Sequence, residues 1–171
     1  MHVVTGSQGD ANADDRRVTR VIAAPVEAVW RAVVTPSLLV RWQAPGEMTA
    51  EIEPFAADGS GYRMTLRYPE TEDAAIGKSG AREDRYTARY VVLDPPHRVV
   101  QAIAFETDDP AFAGEMMMTI ALADVGGWTE VAISYSGLPA GIRPEDNDLG
   151  TRLSLEKLAA LVEREASSDI R

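Results

Sequence analysis

The sequence predicts a single α+β domain, and three observations predict it. Its 171 residues suffice for one full hydrophobic core. Between Met48 and Leu138 apolar residues alternate with polar ones, the period of half-buried antiparallel strands. Helical periodicity flanks this middle, short and interrupted before it, long after it. A sheet with one apolar face needs a cover, and the C-terminal helix is the only element long enough to supply it.

Each element follows in order. Residues 1–16 read as a flexible leader, because the stretch to about Asp15 is rich in Gly, Asn, Asp and Ser without an apolar period. The folded domain spans 17–166, and 167–171 read as a frayed tail. Val18–Ala23 has the β-branched character of a first strand. Pro25 suits the first position of a helix, where a missing N–H costs nothing. Val26, Val29, Trp30 and Val33 then recur at helical spacing. Thr35-Pro36 interrupts the helix, since the residue before proline avoids the α region. A second short helix runs from Ser37 to Trp42, leaving Trp30 and Trp42 near a bend.

Six strands are expected next. Met48–Glu53 is the first, followed by a turn at Ala57–Gly61. Tyr62, Met64, Leu66 and Tyr68 share one face of the second, and a polar loop covers Pro69–Arg82. Tyr86–Leu93 and Val99–Glu106 flank the Asp94-Pro-Pro-His-Arg98 turn. Met116–Leu122 and Trp128–Tyr135 form a hairpin around Asp124-Val-Gly-Gly127. The Tyr62 and Val99 sets read as inward. For the Tyr86–Leu93 strand either Tyr86, Ala88, Tyr90 and Val92 or the alternate set with Val91 and Leu93 can face the core, because register is not observable in sequence. Glu145, Asp146 and Asp148 favour the start of the last helix. Leu149, Leu153, Leu158, Leu161 and Val162 form its apolar stripe.

Composition excludes several functions. A net charge of −10 repels phosphate backbones and anionic membrane surfaces. The arginines at 16, 17 and 20 follow Asp14 and Asp15, and Arg82 and Arg85 flank Glu83 and Asp84. These read as mixed, solvated charges, so no nucleic-acid partner is expected. No apolar run reaches the length of a membrane span, and the start of the chain does not read as a secretory signal. With cysteine absent, disulfides and thiolate metal sites are excluded, and a cytoplasmic location is the default. Of two histidines, His2 lies in the leader and His97 in a turn, too little for a histidine metal site or a Ser-His-Asp triad. No metal or cofactor is expected.

Three segments carry a family resemblance. Ala24-Pro-Val-Glu-Ala-Val-Trp-Arg-Ala-Val33, followed by Thr35-Pro-Ser-Leu-Leu-Val-Arg-Trp42, resembles the opening signature of the START-like helix-grip proteins. More narrowly, it is similar to the branch related to the C-terminal domain of the heat-shock chaperone ATPase activator. Val92-Leu-Asp-Pro-Pro-His-Arg-Val-Val100 and Gly126-Gly-Trp-Thr-Glu-Val131 match as well, and the resemblance runs from about Val18 to Glu165. It implies a helix-grip fold, a curved antiparallel sheet wrapped around a long C-terminal helix, with two short helices after the first strand. It also implies a deep apolar cavity between sheet and helix. Relatives bind lipids, polyketides, hormones or other hydrophobic small molecules, and some are enzymes. Two departures stand out. Where the family often has Gly-Trp near the start of the last helix, this chain has Gly150-Thr151, which bears on helix packing and cavity width. An additional N-terminal chaperone-binding domain is not expected.

The leading expectation is therefore a non-catalytic binding protein for a hydrophobic small molecule. Its expected lining is Trp30, Trp42, Tyr62, Met64, Leu66, Tyr90, Ile103, Phe105, Met118, Leu149 and Leu153, with the tyrosines and Arg152 as polar anchors. Bland readings stand beside it. Both tryptophans are more often core than ligand contacts, and core outweighs pocket for the thioethers at 116 to 118 as well. The alternative function is a cyclase- or aromatase-like enzyme on a polyketide-type substrate, for which Tyr62, Tyr90 and Glu106 are the acid–base candidates. A chaperone-interaction module is the third option. Exposed edge strands leave a homodimer open.

Overall fold

The computed structural model describes residues 16–54, 59–70, 77–80 and 82–168. The expected leader up to residue 15, the tail from 169, and parts of the turn at 57–61 and of the loop at 69–82 lie outside the described residues. One antiparallel sheet carries seven strands: β1 (Arg16–Ile22), β2 (Thr49–Pro54), β3 (Gly61–Arg67), β4 (Glu83–Asp94), β5 (Arg98–Phe105), β6 (Glu115–Val125) and β7 (Trp128–Ser136). Their spatial order is β1-β7-β6-β5-β4-β3-β2, so only β1 leaves sequence order, crossing to pair with the last strand. Helices α1 (Val26–Val34) and α2 (Pro36–Trp42) follow β1, and α3 (Pro144–Ser168) closes the chain. This is the α+β helix-grip arrangement that the sequence implies.

The helix starts differ from expectation. Pro25 is extended and caps α1 from outside the helix, while Pro36 occupies the first turn of α2. Thr35, extended between them, both ends α1 and begins α2, which bends the pair. Proline at 36 removes no hydrogen bond there, because a first-turn N–H has no intrahelical partner.

Register settles which faces are inward. Tyr62 and Met64 of β3, Tyr86 and Ala88 of β4, Val99, Gln101 and Ile103 of β5, and Met116, Met118 and Ile120 of β6 are all buried. The open choice on β4 thus falls to the Tyr86 face. An irregularity between Tyr90 and Val92 shifts the strand, and Val91 and Leu93 are solvent-exposed. On α3 the buried face is Leu155, Leu158, Ala159, Leu161 and Val162, preceded by Thr151 and Ser154. Leu149 is 52% exposed, which corrects its place in the apolar stripe. Residues 149 and 155 are six apart, about 240° around a helix, so one face cannot hold both.

Two local devices fix the sheet ends. The β6–β7 turn places Gly126 and Gly127 at φ 71° and 91°, a region that side chains disfavour, and the Asp124 carboxylate accepts from Gly127 N–H at 3.1 Å. Thr129, fully buried, donates its hydroxyl to the Ala24 carbonyl at 2.7 Å and so ties β7 to the entrance of α1. Thr129→Val keeps the shape but leaves that acceptor without its donor. We expect a loss of about 1–3 kcal/mol, read as a lower urea midpoint with unchanged slope.

Candidate functional site

A cavity of about 410 Å³ lies between the concave face of the sheet, α2 and the first half of α3. That volume falls in the range of small-molecule sites. Its apolar wall comes from inward strand positions: Leu66, Ile103, Phe105, Met116, Met118 and Ile133, with Trp42 from α2. The space exists because the α3 residues opposite those strands are Gly150, Thr151 and Ser154 rather than large side chains. A shallower pocket of about 240 Å³ adjoins it, bounded by Leu149, Leu153 and the Pro45–Met48 loop.

The residues expected to line one site divide among several places. Trp42, Leu66, Ile103, Phe105 and Met118 line the main cavity. Leu149 and Leu153 line only the shallow pocket. Met64 is fully buried and Tyr62 nearly so, both in the core. Trp30 and Tyr90 are half-buried and pack on that core, Tyr90 edge-on to Tyr62 at 6.1 Å. Arg152 is exposed and lines neither space, standing about 100° around α3 from the buried Thr151. Glu106 also lies outside the lining. It accepts from Arg63 at 2.6 Å, on the outward side of β3.

Trp42 joins core and cavity. It is 2% exposed, and its indole N–H donates to the Ala32 carbonyl at 2.9 Å, locking α2 against α1. Trp42→Ala would remove a large buried ring and that bond together. The expected cost is about 3–5 kcal/mol, measurable by urea unfolding, with Trp42→Phe losing a smaller part.

Two polar clusters were not foreseen as parts of the wall. Asp84, 4% exposed, accepts from the Tyr68 hydroxyl at 3.1 Å, from Lys78 N–H at 2.6 Å and from Lys78 Nζ at 3.0 Å. Lys78 Nζ also sits 5.5 Å above the Phe105 ring. Read as a solvated charge, Asp84 nevertheless shares strand parity with Tyr86 and Ala88, and that parity was the available signal. Lys78 comes from a polar loop that offers none.

The second cluster is a relay of neutral groups. The Tyr86 hydroxyl donates to Gln43 Oε1 at 2.8 Å, Gln43 Nε2 reaches the Tyr62 oxygen at 3.5 Å, and Gln101 Nε2 donates to the same oxygen at 3.0 Å. Ser154 donates to the Gln43 backbone carbonyl at 3.0 Å, and Thr151 to the Asn147 carbonyl at 2.8 Å. Burial raises the pKa of Tyr62, Tyr86, Tyr90 and Tyr135 above the ordinary phenol value, since the phenolate would lose its hydration. These phenols are neutral hydrogen-bonding groups, not bases.

Among the described residues no group of three His, Asp or Glu side chains could hold a metal ion, and no helix is long and apolar enough to cross a membrane.

Comparison with known proteins agrees with this architecture. The family model described as activator of Hsp90 ATPase homolog 1-like protein matches residues 23–163. A crystal structure from Chromobacterium violaceum is 32% identical, covering 88% of this chain and 97% of that one, with a TM-score of 0.74. A Rhodobacter sphaeroides structure at 24% identity and TM-score 0.67 covers 90% and 95%. DynU16, from the dynemicin biosynthetic locus, shares the fold at 21% identity and TM-score 0.58, covering 88% of this chain and 47% of its own. No curated protein matches the chain. Matched from residue 23 to residue 163, the chain belongs to the activator of Hsp90 ATPase homolog 1-like family, on the START-like helix-grip fold.

Proposed function

We propose that the protein binds a hydrophobic small molecule in the cavity between sheet and α3, without transforming it, in the cytoplasm. The observation that carries this reading is the state of the polar wall. An apolar enclosure of about 410 Å³ is punctuated by a few oriented polar groups, the arrangement that binds and orients a ligand. Its ionisable groups are poorly suited to proton transfer. Asp84 is occupied by three donors, and the buried tyrosines are held neutral. The uncharged dye N-phenyl-1-naphthylamine tests the reading. Saturable, one-to-one binding with blue-shifted emission is expected. Emission that rises without saturation would sink it and turn attention to the surface and a chaperone partner.

A cyclase-like enzyme is the second reading, favoured by the fold shared with DynU16 and by a carboxylate in the cavity wall. Of the candidates for it, Glu106 faces Arg63 instead, so Asp84 replaces it as the group to test. Turnover of a polyketide-type substrate that Asp84→Asn abolishes, with the fold intact, would decide for the enzyme.

A further inference from the structure

The polar wall has hydrogen-bonding capacity that the protein leaves unused, and its meaning rests on the binding role above. A glutamine amide has two N–H donors and an oxygen with two lone pairs. In Gln43 the oxygen takes the Tyr86 hydroxyl at 2.8 Å, while Nε2 has only the 3.5 Å approach to Tyr62, at the limit of a hydrogen bond. The Tyr62 oxygen is better served by Gln101 at 3.0 Å. One N–H of Gln43 therefore has no partner among the described residues, and the other is weakly held, on a residue that lines the cavity.

The amide is also held in place. Gln43 N–H donates to the Leu39 carbonyl at 3.0 Å, its own carbonyl accepts from Ser154, and Tyr86 anchors the side chain. Three hydroxyl protons of the wall are committed elsewhere: Ser154 to Gln43, Thr151 to Asn147, Tyr86 to Gln43. Lys78 in the wall pairs with Asp84 at 3.0 Å, and the larger part of the wall is apolar, which favours an uncharged ligand.

We propose that Gln43 determines specificity, donating a hydrogen bond to the carbonyl oxygen of an uncharged ligand with an apolar, ring-sized body. A carbonyl fits because it only accepts.

Fluorene and 9-fluorenone test this, having one ring skeleton and differing by a single carbonyl. Their affinities for the full chain are read by displacement of N-phenyl-1-naphthylamine. Fluorenone is expected to bind about fivefold tighter, the effect of one net neutral hydrogen bond. Its carbonyl stretch should fall below the frequency seen in hexane. Gln43→Leu should bring the affinity ratio close to one, and Gln43→Met, closer in shape, serves if the first variant folds poorly. Equal affinities in the unmodified protein, or an unshifted stretch, overturn the inference and leave the binding role standing. A ratio that survives substitution of Gln43 overturns the assignment to that residue. If neither compound nor the dye binds, both the binding role and the inference fall.

Discussion

Above pH 10 the protein unfolds in one steep transition, and its buried tyrosines ionise with that transition rather than before it. Tyr62, Tyr86 and Tyr135 have pKa values raised by burial, with Tyr62 and Tyr86 also raised by neighbouring phenols. An unfolded tyrosine titrates near 10. The sign follows from proton counts: between the unfolded and folded values the native chain holds more protons, so stability falls as pH rises. The contribution is fully present below pH 10 and is lost above it. Each such tyrosine costs about 1.4 kcal/mol per pH unit, so Tyr62 and Tyr86, the most strongly shifted, together remove about 3 kcal/mol per unit. Tyr90 and Tyr135, both half-buried, add less. Two such units remove about 6 kcal/mol, enough to unfold a domain near the lower end of the usual range of about 5–15 kcal/mol. The measurement is tyrosinate absorbance at 295 nm alongside circular dichroism. Coincident curves are expected. Gradual ionisation centred near pH 10 with the fold retained would show that these phenols are hydrated.

The same burial bears on chemistry. A phenol that resists ionisation donates a hydrogen bond at every physiological pH but does not remove a proton. Tyr62 and Tyr90 thus serve poorly as the acid–base pair of a cyclase, and Tyr62 serves well as an anchor for Gln43 and Gln101. Lys157 shows the converse. Desolvation lowers its pKa, yet it donates to the Ala44 and Met48 carbonyls and holds the loop that rims the cavity.

Much of the architecture was legible because it depends on periodicity. Alternation in Tyr62–Tyr68 and Val99–Phe105 specified both strands and their inward faces, and Asp124-Val-Gly-Gly127 specified a hairpin. The β4 face was not legible, since both alternating sets carry apolar residues, and the pairing that puts Tyr86, Ala88 and Tyr90 beside Phe105, Ile103 and Gln101 is not encoded locally. The site was legible on its apolar side only. Leu66, Ile103, Phe105 and Met118 follow from strand parity, whereas Asp84, Gln43, Thr151 and Ser154 are polar residues that burial rules assign to solvent. For Ser154 and Gln43 the partners lie far along the chain: Ser154 meets Gln43 across 111 residues, and Tyr86 meets Gln43 across 43. Leu149 illustrates the reverse error. Its spacing from Leu153 is helical, but the face that the sheet selects begins at Thr151.

Replacing Thr151 by tryptophan should nearly abolish ligand binding while leaving the protein folded. Thr151 is 5% exposed, lines the cavity, and occupies the position where the family often places tryptophan after glycine. Its side chain is small and turns its hydroxyl back to the Asn147 carbonyl one turn earlier, so it fills little of the space beneath Tyr135 and Ile133. An indole there extends into apolar surroundings that already accept aromatic rings. The cost of overpacking, about 1–3 kcal/mol, is offset in part by newly buried apolar surface. Affinity for N-phenyl-1-naphthylamine should fall about a hundredfold, because a ligand cannot share the remaining volume with the ring. Thr151→Val removes the hydroxyl without adding bulk and should leave binding within about threefold, isolating volume from polarity. Should Thr151→Trp fold with its dye affinity unchanged, the ligand does not occupy this cavity, and the open space left by the missing tryptophan has no part in binding.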